Sequence, residues 1–335
     1  MNVAGLVVQL AQRGIHRRSA SIADRLSGYY MMRVNVIGLQ TVAQAFQRAA
    51  TADGDLTMLA SAALQDGMLK DLLLDIETAT ARLTEAAALA GRAGWTAGEA
   101  VSLNNAARTL WMSGQVEAAI ERLEQALELN RRSGRTAGEA VTVANLGVAH
   151  LELAGDGGPG GPAHLAEAMR LLNEGLVLHR RIDDRRNEAD TLRRLAEAHR
   201  ELGDDRRAAE LARQAMRLAV ESGDLRFELS ARSTLATVLA RLGQTREGLD
   251  EHRVALDKAR QSGNLRLEAE TLLDAAETYI RLGRPDDASI TVQDALAVAV
   301  QIGSRPLVRR ALRVRGQLEA ESPDPSRVAP AETSP

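Results

Sequence analysis

The chain has 335 residues, is 45% hydrophobic but only 2% aromatic, is 26% charged with a formal net charge of −3, and contains no cysteine. Disulfides, thiolate metal sites and cysteine nucleophiles are therefore excluded, and the balanced charge gives no global attraction to nucleic acid or an anionic membrane. There are eight prolines, none before Pro159 and four in the last thirteen residues; the long stretches of Ala, Leu, Glu and Arg between them favour helix and predict an all-α chain.

The opening MNVAGLVVQLAQRG is too short and too weakly cationic ahead of its apolar part to serve as a signal peptide. No later stretch reaches the roughly 18 apolar residues that a membrane span needs, so a cytoplasmic protein is expected. The opening reads as the second helix of a pair, closed by Gly14. From there glycines recur at 54, 94 and 134 and again at 223, 263 and 303, in steps of forty, broken only between 134 and 223. The missing mark falls at Asp183, in HRRIDDRRNEA, which aligns with NRRSGRTAGEA. Asp tolerates the left-handed backbone region better than most residues.

A second set of glycines, 114, 155, 203, 243 and 283, lies midway, each after an apolar-periodic segment such as TLWMSG or YIRLG. Each unit is thus predicted as two helices of about four turns, each closed by a left-handed glycine. The units run over about 15–54, 55–94, 95–134, 135–183, 184–223, 224–263 and 264–303, with a capping helix at 304–320 and a Pro/Ser-rich disordered tail at 321–335. Five units carry a good helix N-cap directly after the long-period glycine, namely Asp55, Asp184, Asp224, Asn264 and Ser304. In the third and fourth the same five letters, TAGEA, follow at 96–100 and 136–140. There the cap is expected one place later, with Thr96 and Glu99, and Thr136 and Glu139, forming capping boxes.

The segment AGDGGPGGPAH, 154–164, contains a nine-residue insertion. No strand precedes it, no Lys or Ser/Thr follows in place, and its prolines remove amide donors, so it reads as a linker between two helices and not as a phosphate cradle. The six histidines, 16, 150, 164, 179, 199 and 252, show no ligand spacing and are expected to pack or to face solvent. Neither a metal nor a cofactor is expected, and no nucleophile is marked by a base, so the chain reads as non-enzymatic.

Small residues recur at fixed places in the helix pairs. In the first helix they are Ser27, Gly67, Ala107, Gly147, Ala196, Ala236, Ala276 and Gly316; in the second, Ala79, Ala119, Ala168, Ala208, Gly248 and Ala288, then Ala86, Ala126, Gly175, Ala215, Ala255 and Ala295. On these positions the chain resembles tetratricopeptide (TPR) repeats in a forty-residue form, over roughly 15–320, and is similar to the C-terminal repeat regions of actinomycete antibiotic-regulatory and STAND-type regulators. Departures are the missing repeat-closing proline, the replacement of large aromatics by Leu or His, and Leu39 and Phe46 at small places of the first unit. The resemblance implies a right-handed α-solenoid whose first helices line a concave groove.

Mapped onto that groove, the resemblance points to Asp24, Met31, Met68, Asn104, Arg108, Trp111, Arg193 and Arg200, with Asn105 and Asn145 at a neighbouring position that often holds a peptide. Trp111 and the methionines read equally well as packing between repeats. The last helix carries Arg305, Arg309, Arg310, Arg313 and Arg315, either a basic patch or a solvated cap balanced by Glu319 and Glu321. The implied function is a protein- or peptide-binding scaffold in a bacterial regulatory pathway, or alternatively the ligand-sensing arm of a regulator or STAND ATPase. Nucleic acid is the weakest partner, no membrane partner is expected, and a homo-oligomer is allowed.

Overall fold

The computed structural model describes residues 3–32, 36–73, 75–155 and 160–321; the segment 156–159 and the expected tail after 321 lie outside them. Among the described residues every element is an α-helix, and the chain divides into two compact units, 1–183 and 184–335. The first unit comprises α1 (Val3–Gln12), α2 (His16–Met32), α3 (Val36–Asp53), α4 (Leu56–Leu72), α5 (Ile76–Arg92), α6 (Thr96–Met112), α7 (Val116–Arg132), α8 (Thr136–Gly155) and α9 (Gly161–Arg181). The second comprises α10 (Arg185–Glu201), α11 (Asp205–Ser222), α12 (Leu225–Arg241), α13 (Thr245–Gln261), α14 (Leu265–Arg281), α15 (Pro285–Gln301) and α16 (Arg305–Glu321). Even-numbered helices are the first members of the pairs and odd-numbered helices the second.

Helix ends follow the glycine ruler. Asp183 adopts a positive φ of 54°, in line with Gly134 at 66° and Gly223 at 69° on either side. Asp55, Asp184, Asp224 and Asn264 each accept a hydrogen bond from the backbone N–H three residues on, at 2.9–3.2 Å. The two TAGEA copies behave differently from expectation. Trp95 occupies the N-cap of α6 without a side-chain cap bond, and Thr96 is already helical. The Trp95 and Arg135 carbonyls take the Glu99 and Glu139 N–H groups, and the Glu139 carboxylate goes to Arg131 at 2.8 Å. Neither capping box forms. A cap is worth only about 1 kcal/mol, and the Trp95 and Arg135 N–H groups, bonded to the Ala90 and Asn130 carbonyls, close the preceding helices one residue earlier.

Gly155 also departs from the ruler: it is the last helical residue of α8, not a left-handed terminator. Helices α8 and α9 run to 20 and 21 residues against 17 for α7, so most of the expected linker is taken up as extra helix. Gly161 and Pro162 open α9, where proline costs no hydrogen bond.

Packing explains the small residues. Ala107, Ala196, Ala236 and Ala276 on first helices, and Ala79, Ala119, Ala168 and Ala208 on second helices, are essentially inaccessible. A Cβ added to Gly67 would stand 2.6 Å from Leu83 Cγ, and one on Gly147 2.8 Å from Leu172 Cγ, so the glycines let the paired helices close on a leucine. The TAGEA glycines make room for a side chain at the start of their helices instead. A Cβ on Gly98 would enter the Trp95 indole at 2.1 Å, and one on Gly138 would meet Asn130 Oδ1 at 2.2 Å. Within each unit successive first helices touch one another, whereas among the described residues α1 and α3 are the only second helices in contact, α3, α5, α7 and α9 staying apart from each other, as do α11, α13 and α15. The first helices therefore form the tighter, inner side of each unit.

Candidate functional site

Rungs of polar side chains join successive first helices on the inner side of the first unit. Ser27 Oγ donates to Gln65 Oε1 at 2.6 Å, linking α2 to α4. The Arg108 guanidinium on α6 pairs with Asp71 on α4, and a second nitrogen of Arg108 lies 3.6 Å from Met112 Sδ. Asn145 on α8 donates to Asn104 Oδ1 at 3.1 Å. Asn105 is turned onto its own helix and donates to the Val101 carbonyl at 2.8 Å. Met68 packs against the Ala63, Leu64, Leu83, Ala86 and Ala106 cluster, and Trp111, half-buried, against Ala107, Leu123, Val143 and Leu171. The side chains of Asp24 and Met31 lie outside the described residues. Thus Arg108 and Asp71, and Asn104 and Asn145, come together, while Met68 and Trp111 contribute mainly to packing.

The inner side of the second unit is more polar. A cavity of about 360 Å³ lies among α10, α12, α14 and α16, its walls including Arg193, Glu197, Arg200, Ser233, Thr237 and Arg281. Arg193, buried, is clamped by Asp190 at 2.6 Å and Glu197 at 2.6 Å, and Arg194 adds a bond to Glu197 at 3.1 Å. Burial alone would raise the Asp190 pKa, yet Arg193 and Arg194 hold it down at about 2. Arg200 pairs with Glu201 at 2.7 Å. Arg310, one of the arginines of the last helix, turns inward to Asp274 at 2.7 Å and Glu277 at 3.1 Å, and Arg315 lies 3.7 Å from Glu319.

Two groups on this inner face are unspent. Among the described residues Ser233 Oγ, buried, has no hydrogen-bond partner. Arg281 makes no ion pair or side-chain hydrogen bond among the described residues; desolvation first, and the charge of Arg200 second, lower its proton affinity. Beneath the face runs a relay that sequence spacing could not reveal. His252 Nε2 meets Thr278 Oγ1 at 2.9 Å, and Thr278 Oγ1 meets Thr237 Oγ1 at 3.2 Å. Burial pushes the His252 pKa down to about 4, against the pull of Asp274, so the ring is neutral. Such a face offers hydroxyl and guanidinium donors to peptide carbonyls or a carboxylate, with acidic neighbours for a peptide's basic groups.

Three solved structures share the fold. Aspartyl phosphate phosphatase F from Bacillus subtilis aligns with a TM-score of 0.63 at 12% identity, covering 88% of this chain and 74% of that one. The Rap conjugation gene regulator of the plasmid pLS20, in complex with the Phr* peptide, aligns at 0.61 and 14%, covering 88% and 73%. A STAND protein with a tetratricopeptide repeat sensor from Pyrococcus horikoshii aligns at 0.55 and 14%, covering 97% of this chain and 50% of that one. No curated protein sequence matches. Family profiles described as tetratricopeptide repeat match residues 100–133, 191–226 and 227–301. The chain carries tetratricopeptide repeats.

Proposed function

We propose that the chain is a non-enzymatic scaffold that binds an extended peptide segment of a regulatory partner on its first-helix faces, above all in the second unit. The observation that carries this reading is the polar cavity on α10, α12, α14 and α16, where Arg281 and the Ser233 hydroxyl are unspent among the described residues while Arg193 is fixed by Glu197 and Arg310 by Asp274. A preformed, rigid row of donors lowers the ordering cost of binding. The peptide bound by one Rap structure of the same fold supports the reading. In the first unit Asn104, Asn145 and Arg108 form the corresponding polar face, with Asn105, Trp111 and Met68 beside it. The pathway we assign is a cytoplasmic bacterial regulatory system of actinomycete type, on the strength of the sequence resemblance.

Peptides selected from a display library against the full chain test this. Arg281→Glu is expected to weaken the selected peptides at least tenfold in fluorescence anisotropy with unchanged helical circular dichroism. Equal affinity for the variant and the parent chain would overturn the assignment to the second unit.

A second reading is the ligand-sensing arm of a larger regulator, favoured by likeness to a STAND protein that carries such repeats as its sensor. An in-frame nucleotide-binding region joined to these repeats in the coding sequence would favour it over the scaffold.

A further inference from the structure

Two histidines with no ligand spacing in the sequence meet in the fold. His150 lies on α8 and His164 in the first turn of α9, on either side of the insertion. Their Nδ1 atoms are 3.0 Å apart, their ring centroids 5.2 Å apart, and their planes are inclined by 32°. Both rings are half-buried at the rim of the α8–α9 hairpin, neither enclosed nor free in solvent.

A nitrogen–nitrogen contact of this length holds a single proton: one imidazole donates its N–H and the other offers its lone pair. A second proton would place two like charges in contact. Accordingly burial first, and His164 second, lower the His150 pKa. The carboxylates of Glu167, on the next turn of α9, and Glu124, on α7, favour positive charge at His150. Arg170 opposes it, but Arg170 is engaged by Glu167 at 2.7 Å and Glu174 at 3.0 Å. The pair thus shares one proton between two neutral rings, with the Glu167 and Glu124 carboxylates near enough to balance added positive charge.

The distance also says which metal cation suits it. Imidazole–metal bonds are roughly 2.0–2.1 Å, and at that length two nitrogens 3.0 Å apart subtend about 94° at a shared ion. Near-right angles belong to square-planar and tetragonal coordination, the preference of Cu²⁺ and Ni²⁺, whereas a tetrahedral ion would spread the nitrogens to about 3.4 Å. We propose that His150 and His164 form a two-imidazole site for Cu²⁺ or Ni²⁺ that staples α8 to α9 across the insertion. No group of three His, Asp or Glu side chains is placed to hold a metal among the described residues, so water would complete the coordination. Binding displaces the shared proton from Nδ1 to Nε2 of the same ring, so both imidazoles stay neutral and no net proton is released.

Titration of the full chain with Cu²⁺ at neutral pH tests the site. One ion per chain is expected, with a tetragonal electron paramagnetic resonance spectrum showing coupling to two nitrogens, and with a rise in thermal midpoint. His164→Asn and His150→Asn should each lower the affinity at least tenfold and remove the two-nitrogen coupling, while His199→Asn leaves both unchanged. His164→Asn is the safer variant for the fold, and circular dichroism verifies its helicity. Copper binding that is the same in His164→Asn as in the parent chain, or a spectrum without two-nitrogen coupling, would overturn the proposal.

Discussion

Arg108 on α6 reaches back thirty-seven residues to Asp71 on α4, and the other carboxylate oxygen of Asp71, Oδ1, is buried with no hydrogen-bond partner among the described residues. The guanidinium is the only charge-bearing group that the Asp71 carboxylate bonds among the described residues, and Asp71 is 8% exposed. Arg108→Met is therefore expected to cost about 1–3 kcal/mol, the penalty for stranding a buried acceptor. Restoring neutrality in Asp71→Asn/Arg108→Met should recover part of the loss. Urea midpoints of the three chains decide it; a loss of less than about 0.5 kcal/mol would class the pair with ordinary surface ion pairs.

Gly67 and Gly316 stand at equivalent places in their repeats yet face opposite situations. A Cβ at Gly67 would lie 2.6 Å from Leu83 Cγ, whereas one at Gly316 meets nothing within 4 Å. Gly67→Ala should destabilise by about 1–3 kcal/mol through overpacking. Gly316→Ala should stabilise α16 by up to about 1 kcal/mol, since helical glycine is entropically costly. Thermal midpoints moving in opposite directions are the expected result; a gain in both would mean that α4 and α5 are not in close contact at Gly67.

His252 makes stability depend on pH in a defined window. Its folded pKa, about 4, lies below the ordinary 6.5, so the unfolded chain binds the proton more readily. The stabilising effect is complete above pH 6.5 and declines as pH falls toward 4, by about 2 kcal/mol at pH 5. His252→Gln should lower stability near pH 7 and reduce the decline between pH 7 and pH 5. Urea midpoints at the two pH values check the sign; parallel slopes in the two chains would contradict the buried, neutral ring.

Much of the backbone was legible. Asp183 was identified as the missing glycine by counting alone, and its positive φ agrees, because a left-handed residue is a local requirement of each helix end. The small-residue positions were equally readable, since a residue that must admit a neighbouring helix has to lack a side chain wherever the pair recurs. Thr96 and Thr136 misled because a cap preference of about 1 kcal/mol is a weak local signal, and the turns at Gly94 and Gly134 start the helices one residue earlier.

The candidate site was legible only as a set of positions. Arg193 and Arg200 were placed on the inner side, but nothing in their spacing showed that Arg193 would be fixed between Asp190 and Glu197 while Arg281 stayed unpaired. Nor did any spacing announce the contact of His150 with His164, fourteen residues apart across an insertion that became mostly helix.

The sequence by itself determined where most helices start and stop, the α6 and α8 starts and the α8 end excepted, because glycine conformation and apolar period act within a few residues. Only the tertiary structure decided which polar side chains meet. Contacts such as Asp71 with Arg108, or His252 with Thr278, span tens of residues and depend on how closely two helices approach and which rotamers their packing leaves open. That approach is set jointly by all the small and large residues between them, and no single stretch of sequence carries it.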